Sequence, residues 1–191
     1  MKLRELGIWL LLPVLWTCGD APTGTIDDIE QQYLFEVEHV NMAWGLFWAG
    51  LVVERDGSVY AFDHSHAAWN GASNTFFSEE ELQEKYSHGR RLVGHVDDGT
   101  LVRQFERIRD VGNDFEESIL LCADAGVLAY RAWRYDPADG AYIPRALREE
   151  GDTARRNTSA AAEALAEWLR ELIPTLDDPA VMPFDEGFCT P

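Results

Sequence analysis

The sequence predicts a single domain of the α+β class, built from two antiparallel β-meander blocks with helices packed against the sheet. Short runs rich in β-forming residues follow one another directly at two places in the chain, which favours antiparallel hairpins. Helical patterns come after these blocks and do not alternate with single strands, as they would in a parallel α/β fold. Of the 191 residues, 46% are hydrophobic and 12% aromatic, which suffices for one core and excludes a disordered chain.

The first block is expected to contain three strands. Residues 33–40 are rich in β formers, and residues 44–55 are apolar on both faces, which is typical of a central strand. The third strand is expected at residues 58–64, directly after Asp56-Gly57. A two-residue Asp-Gly loop is a strong hairpin signal, because both of its residues need positive φ angles.

This loop length also predicts the register of the hairpin. With only Asp56 and Gly57 between the strands, Val53 should lie opposite Tyr60. The side chains of this pair would then lie on one face of the sheet.

Two helices are expected between the blocks. Ser78 and Glu81 have the spacing of a capping box, and Phe77 and Leu82 are placed as a hydrophobic staple around it. The second helix is expected at residues 97–111, where apolar residues recur at helical spacing before a glycine.

The second block is expected to contain strands at residues 118–122, 127–135 and 141–147. Pro144 marks the last strand as an edge strand or as bulged, since proline cannot donate a backbone hydrogen bond. A final amphipathic helix follows, with Asn157 as its expected N-cap.

The N-terminus has the features of an export signal. A short basic start precedes an apolar run of about 11 residues, which is too short to span a bilayer but suits a signal peptide. The segment Leu15-Trp16-Thr17-Cys18 ends this run and resembles a bacterial lipobox. The resemblance implies that residues 1–17 are removed and that Cys18 is diacylated and becomes the mature N-terminus.

The same resemblance implies an exported, lipid-anchored protein of the bacterial cell envelope, and Gly19 favours the outer membrane. An ordinary cleaved signal and an uncleaved N-terminal anchor are the alternatives. Residues 18–31, which contain Gly, Pro, Thr and Asp, are then expected as a polar tether. The globular domain is expected to cover residues 32–191.

Two further cysteines, Cys122 and Cys189, form an even pair in an oxidising compartment, and we expect a disulfide between them. It would close a loop of about 67 residues and stabilise the fold by about 4 kcal/mol in the chain-entropy model. Two free thiols are the alternative.

The formal net charge is −18. This acidity argues against a nucleic-acid partner and against electrostatic binding to anionic lipid headgroups, because both require a basic surface. It is compatible with solubility in a salty medium or with a cationic protein partner.

The best local candidate for chemistry is the segment Asp63-His64-Ser65-His66. If the strand continues, His64 and His66 share a face and could supply two ligands to a catalytic zinc, with Asp63 nearby. The alternative is that these histidines end a strand in a polar loop. The common phosphate-binding and hydrolase motifs are absent from the sequence, and no catalytic residue is assigned.

The best candidate for recognition is Trp69, which precedes Asn70 in a polar segment and is expected to be exposed. An exposed tryptophan beside polar side chains can stack on a sugar or contact a protein partner. Packing in the core is the alternative.

Taken together, these features predict a lipid-anchored envelope protein with a binding or structural role, no cofactor, and a protein or carbohydrate ligand. One alternative is a metal-dependent hydrolase that uses Asp63, His64 and His66. Another is an acidic inhibitor or immunity-type protein that binds a basic partner.

Overall fold

The computed structural model describes residues 24–43, 45–66, 69, 75–119 and 124–176. The expected signal peptide, the lipidation of Cys18, the disulfide between Cys122 and Cys189, and the recognition role of Asn70 lie outside these residues. They stay predictions.

Within the described part, eight strands form one antiparallel sheet, which confirms the α+β class. The strands are β1 (Tyr33–Asn41), β2 (Phe47–Glu54), β3 (Ser58–Asp63), β4 (Arg91–His95), β5 (Phe115–Ile119), β6 (Val127–Asp136), β7 (Ala141–Gly151) and β8 (Thr153–Asn157). Their order across the sheet is β4-β3-β2-β1-β6-β7-β8-β5. The two halves join through the pairing of β1 with β6. The expected β1–β3 meander and the β6–β7 pair are found, whereas β5 does not pair with β6 but with β8, at the far edge of the sheet.

The helices of the described part are α1 (Glu79–Ser87), α2 (Asp98–Arg107) and α3 (Ala160–Leu172). Short 3-10 turns lie at Ile26–Asp28, Ile108–Asp110 and Ile173–Thr175. No helix in this part of the chain is long and apolar enough to cross a membrane.

The capping box expected before α1 is confirmed. The Ser78 side chain accepts a hydrogen bond from the Glu81 backbone N–H at 3.2 Å, and the Glu81 carboxylate accepts one from the Ser78 N–H at 2.7 Å. The flanking Phe77 and Leu82 are both buried in the same aromatic cluster. These contacts fix where α1 begins and which face it turns to the sheet.

The expected register of the β2–β3 hairpin is wrong by one residue. Val53 pairs with Val59, and Tyr60 pairs with Val52. The loop comprises residues 55–57, and only Gly57 has a positive φ, of 82°. A three-residue loop that ends in a left-handed glycine shifts the pairing and places Tyr60 on the opposite face from Val53.

The N-cap expected at Asn157 is also wrong. Ser159 caps α3, accepting a hydrogen bond from the Ala162 N–H at 3.3 Å. Asn157 instead ends β8, and its buried amide donates to the carbonyl oxygens of Gly112 and Ala146. Two cap-type residues lie close together here, and the one that ends the strand satisfies neighbouring backbone groups.

The two faces of the sheet are covered by different layers. Helices α2 and α3 cover one face with an apolar core that includes Phe35, Val53 and Leu165. Helix α1 covers part of the other face with an aromatic cluster. Residues 24–31 also pack on the domain, because Ile29 is only 1% exposed within the apolar core.

Candidate functional site

A cavity of about 290 Å³ opens on the α1 face of the sheet. Aromatic and charged side chains dominate its lining, and we call it the tryptophan cavity. The aromatic residues are Trp48, Trp69, Phe77 and Trp133; the charged residues are Glu38, Lys85 and Arg131; the remaining lining residues are Val40, Met42 and Pro144.

Three elements bring the charged side chains together. Glu36 and Glu38 lie two residues apart on β1, so both point to the α1 face. Helix α1 supplies Lys85 and Tyr86, and the neighbouring strand β6 supplies Arg131, which pairs with Glu36 in the sheet register. These five residues form what we call the charged network.

The charged network is closely hydrogen bonded. Lys85 Nζ lies 2.8 Å from Glu36 Oε1 and 2.7 Å from Glu38 Oε1. Arg131 Nη1 donates to Glu36 Oε1 at 2.7 Å and to Glu38 Oε2 at 2.5 Å. The Tyr86 hydroxyl donates to Glu36 Oε2. Two carboxylates thus meet two cations, and the formal charges cancel.

The network sets the protonation of its members. Burial alone would raise the pKa of Glu38, but Lys85 and Arg131 outweigh it and hold that pKa well below its usual range. Burial and the Glu36 carboxylate raise the pKa of the Tyr86 hydroxyl well above its usual value. Burial opposes the charge of Arg131, but Glu38 and Glu36 raise its pKa. At neutral pH, Glu38 and Arg131 are charged and Tyr86 is neutral.

Arg131 is the only charged side chain of the network that is more than 5% exposed. The exposed fractions are 0% for Glu36, 5% for Glu38, 4% for Lys85 and 26% for Arg131. Arg131 uses Nη1 for its contacts with both glutamates, and its Nε and Nη2 make no hydrogen bond to a described residue. Glu38, Lys85 and Arg131 all line the cavity, and Arg131 is the most exposed of the three.

A β-bulge lies beside Arg131. Tyr130 pairs with Arg148, whereas Arg131 pairs with Ala146, so β7 contains one extra residue at this point. Such bulges bend a strand locally and change the direction of neighbouring side chains. Pro144 predicts an edge strand or a bulged one, and β7 is an inner strand with a bulge close to Pro144, which also lines the cavity.

Trp69 is buried, at 8% exposed, and the expectation of an exposed side chain is wrong. Its ring lies 5.5 Å from that of Phe77 and 6.4 Å from that of Trp48, between centroids. Lys85 Nζ lies 5.2 Å from the same ring. These aromatic neighbours remove Trp69 from water, yet it lines the cavity, and its role in recognition stays a prediction.

The histidines do not lie side by side on a strand. Strand β3 ends at Asp63, His64 is buried, and His66 is exposed. His64 Nε2 donates to the carbonyl oxygen of Lys85 at 2.7 Å, and its ring lies 4.8 Å from that of His88. Within the part of the chain that the structure describes, no group of three or more His, Cys, Asp or Glu side chains could hold a metal ion. The metal site stays a prediction.

Glu36, Glu38 and Arg131 are site residues that the sequence does not reveal. On β1 the two glutamates alternate with apolar residues, which is equally typical of a strand with one solvated face. One signal was available: the sequence contains only two lysines, Lys2 and Lys85. A lone lysine in an acidic domain is a candidate for a specific ion pair.

No known protein family, no curated protein and no solved structure matches this chain. The functional argument therefore depends on the cavity and the charged network themselves.

Proposed function

We propose that this protein is a small-molecule binding module of the bacterial cell envelope, anchored through lipid on Cys18, and that its ligand occupies the tryptophan cavity. One observation carries the proposal: a cavity lined by four aromatic side chains opens onto a buried, hydrogen-bonded charged network. Ligand sites are typically apolar clefts with a few fixed polar groups. The volume of about 290 Å³ suits a small ligand.

The charged network supports a functional role because it is an inefficient way to stabilise a core. Removing four charges from water costs free energy that their mutual attraction only partly returns, and apolar residues of similar volume often stabilise more. The opposite face of the same sheet is packed with apolar side chains. The charged side chains are therefore better explained by a role in ligand binding than by a contribution to stability.

The geometry supports binding more than catalysis. Among the described residues that line the cavity, none is a serine, threonine, cysteine or histidine. Glu38 accepts hydrogen bonds from Arg131 and from Trp48 Nε1, and its lowered pKa makes it a weak base. These residues are arranged to hold and orient a ligand.

The test is ligand-dependent stabilisation of the full-length protein in detergent micelles. A library of small carboxylates, amides, amines and sugars is screened for an increase in Tm, because a ligand that binds only the folded state must raise it. Trp69→Ala should abolish the stabilisation, whereas Phe76→Ala should preserve it. Phe76 is 64% exposed and does not line the cavity, so it is a matched aromatic control. Ligands that raise the Tm of Trp69→Ala as much as that of the unaltered protein would contradict the proposal. A library in which no compound raises the Tm would also contradict it.

The anchor has a separate test. Cys18→Ala should abolish lipid attachment and release the protein from the membrane fraction, and globomycin should block maturation of the unaltered protein. Normal processing of Cys18→Ala would contradict the lipoprotein assignment and leave the cavity proposal untouched.

A further inference from the structure

We infer that the ligand is a small monocarboxylate with a flat apolar body, whose carboxylate binds the outer edge of Arg131. This inference rests on the proposed function, and it adds the chemical class of the ligand and the residue that selects it.

The exposed charge at the cavity is positive. Glu36, Glu38 and Lys85 are each at most 5% exposed, whereas the Arg131 side chain is 26% exposed. A ligand in the cavity therefore meets the guanidinium as the most exposed charge, whereas Glu38 lines the cavity but is only 5% exposed and Glu36 is fully buried. Charge complementarity favours an anion at this point.

Arg131 offers a carboxylate the correct geometry. A guanidinium carries five N–H donors in a planar fork, and the edge formed by Nε and Nη2 matches the two oxygens of a carboxylate. In Arg131 these two atoms have no hydrogen-bond partner among the described residues. Because Nη1 is held by both Glu36 and Glu38, the plane is already oriented, which lowers the entropy lost on binding.

The rest of the lining favours a flat apolar body over a cation. Trp48, Trp69, Phe77 and Trp133 present ring surfaces on which a planar group can pack. A ligand cation would be attracted to such rings, but Lys85 Nζ already lies 5.2 Å from the Trp69 centroid. A second cation would be repelled by both Lys85 and Arg131.

The experiment compares three ligands of nearly equal shape: phenylacetate, phenylacetamide and 2-phenylethylamine. Each is titrated calorimetrically into the full-length protein in detergent micelles at pH 7. A charge-assisted bidentate contact is about twice as strong as a neutral hydrogen bond, so phenylacetate should bind about tenfold more tightly than the amide. The amine should bind most weakly.

Arg131→Lys identifies the residue that selects the anion. The lysine keeps the positive charge that Glu36 and Glu38 require but has no second edge for a ligand. The preference for phenylacetate over phenylacetamide should fall to about twofold or less. Trp69→Leu is the matched control, since it should weaken both ligands equally and keep their ratio. If Arg131→Lys does not fold, the comparison of the three ligands on the unaltered protein still decides.

The outcomes separate this inference from the proposed function. Equal or tighter binding of the amide or the amine overturns the inference, as does a preference that survives in folded Arg131→Lys, but either leaves a binding cavity. If none of the three binds, the screen for an increase in Tm decides. Stabilisation by other carboxylates supports the inference, and stabilisation by neutral or cationic compounds overturns it. No hit at all contradicts both.

Discussion

Lys85 joins helix α1 to the central strand β1 through two carboxylates that are almost completely buried. Buried ion pairs add little to stability as wholes, but removal of one partner leaves a charge without compensation. The four charges of the network therefore act as a unit. Replacing one of them should lower the free energy of unfolding far more than replacing a charged side chain on the surface.

Lys85→Met should lower the free energy of unfolding by about 3–5 kcal/mol, because Glu36 and Glu38 would then share only Arg131. Denaturant titration measures the change. Arg156→Met is the control: its pair with Glu116 is largely exposed and should be worth less than about 1 kcal/mol. Equal effects of the two substitutions would contradict the burial of the network.

Glu38 should make the protein sensitive to acid. Its pKa is lower in the folded than in the unfolded chain, so the unfolded state binds a proton first as the pH falls. The stabilisation is present above the unfolded pKa, at about pH 4.3, and is lost as the pH falls towards the folded pKa. Unfolding free energies at pH 3–7 should therefore fall more steeply with acid for the unaltered protein than for Glu38→Gln. Parallel curves would show that Glu38 does not contribute.

At the scale of elements, α1 is the one that completes the site. It has nine residues and carries both Lys85 and Tyr86, and its first turn is fixed by the Ser78–Glu81 capping box. A helix this short depends on its cap and on its packing. The strength of the cap should therefore influence ligand binding although Ser78 does not line the cavity.

Ser78→Ala should destabilise the protein by about 1 kcal/mol and weaken ligand binding, because α1 would fray at its start. Asp97→Ala is the matched control. Asp97 caps α2 with a hydrogen bond from the Thr100 N–H at 3.0 Å, on the other face of the sheet. Asp97→Ala should cause a similar loss of stability, but the ligand affinity measured by calorimetry should be unchanged. Equal losses of affinity would contradict a local role for the α1 cap.

The elements that the sequence predicts are those with strong local signals. The capping box before α1 and a turn at Gly57 are both found, although the loop has three residues and the register is shifted. Strands β4 and β8 have no such signal. Leu92 on β4 is 61% exposed, and β8 has the sequence TARRN without apolar alternation. Both strands form because strands distant in the sequence hydrogen bond with their backbone.

The site residues were hidden for a related reason. Whether Glu36 and Glu38 face water or a helix depends on α1, whose Lys85 lies 49 residues from Glu36 in the sequence. The partner on β6 is still more distant, since Arg131 lies 95 residues from Glu36. The sequence predicted Trp69 as a recognition residue from its polar neighbours, and the structure puts it in the cavity wall for a different reason, its contacts with other aromatic rings.

At the scale of the whole molecule, one sheet separates two layers of different character. The α2–α3 layer is apolar and fixes the fold, whereas the α1 layer is aromatic and charged and contains the cavity. The two clusters share no buried side chain, so a substitution in one layer should leave the packing of the other unchanged.

Leu165→Ala and Leu82→Ala test this separation. Both side chains are fully buried, one in each layer, and each substitution should cost about 2–5 kcal/mol. Their effects on the free energy of unfolding should add within about 0.5 kcal/mol, since distant residues without shared partners rarely couple. A larger coupling term in the double variant would show that the layers communicate through the sheet.

The burial of Lys85 also determines how the protein reacts with chemical reagents. If residues 1–17 are removed, Lys85 carries the only remaining ε-amino group of the chain, and it is 4% exposed between α1 and the sheet. Acylating reagents used for immobilisation or cross-linking should therefore modify the Lys85 side chain of the folded mature protein very slowly. The modification rate then reports how often α1 separates from β1, and a ligand in the cavity should slow it further.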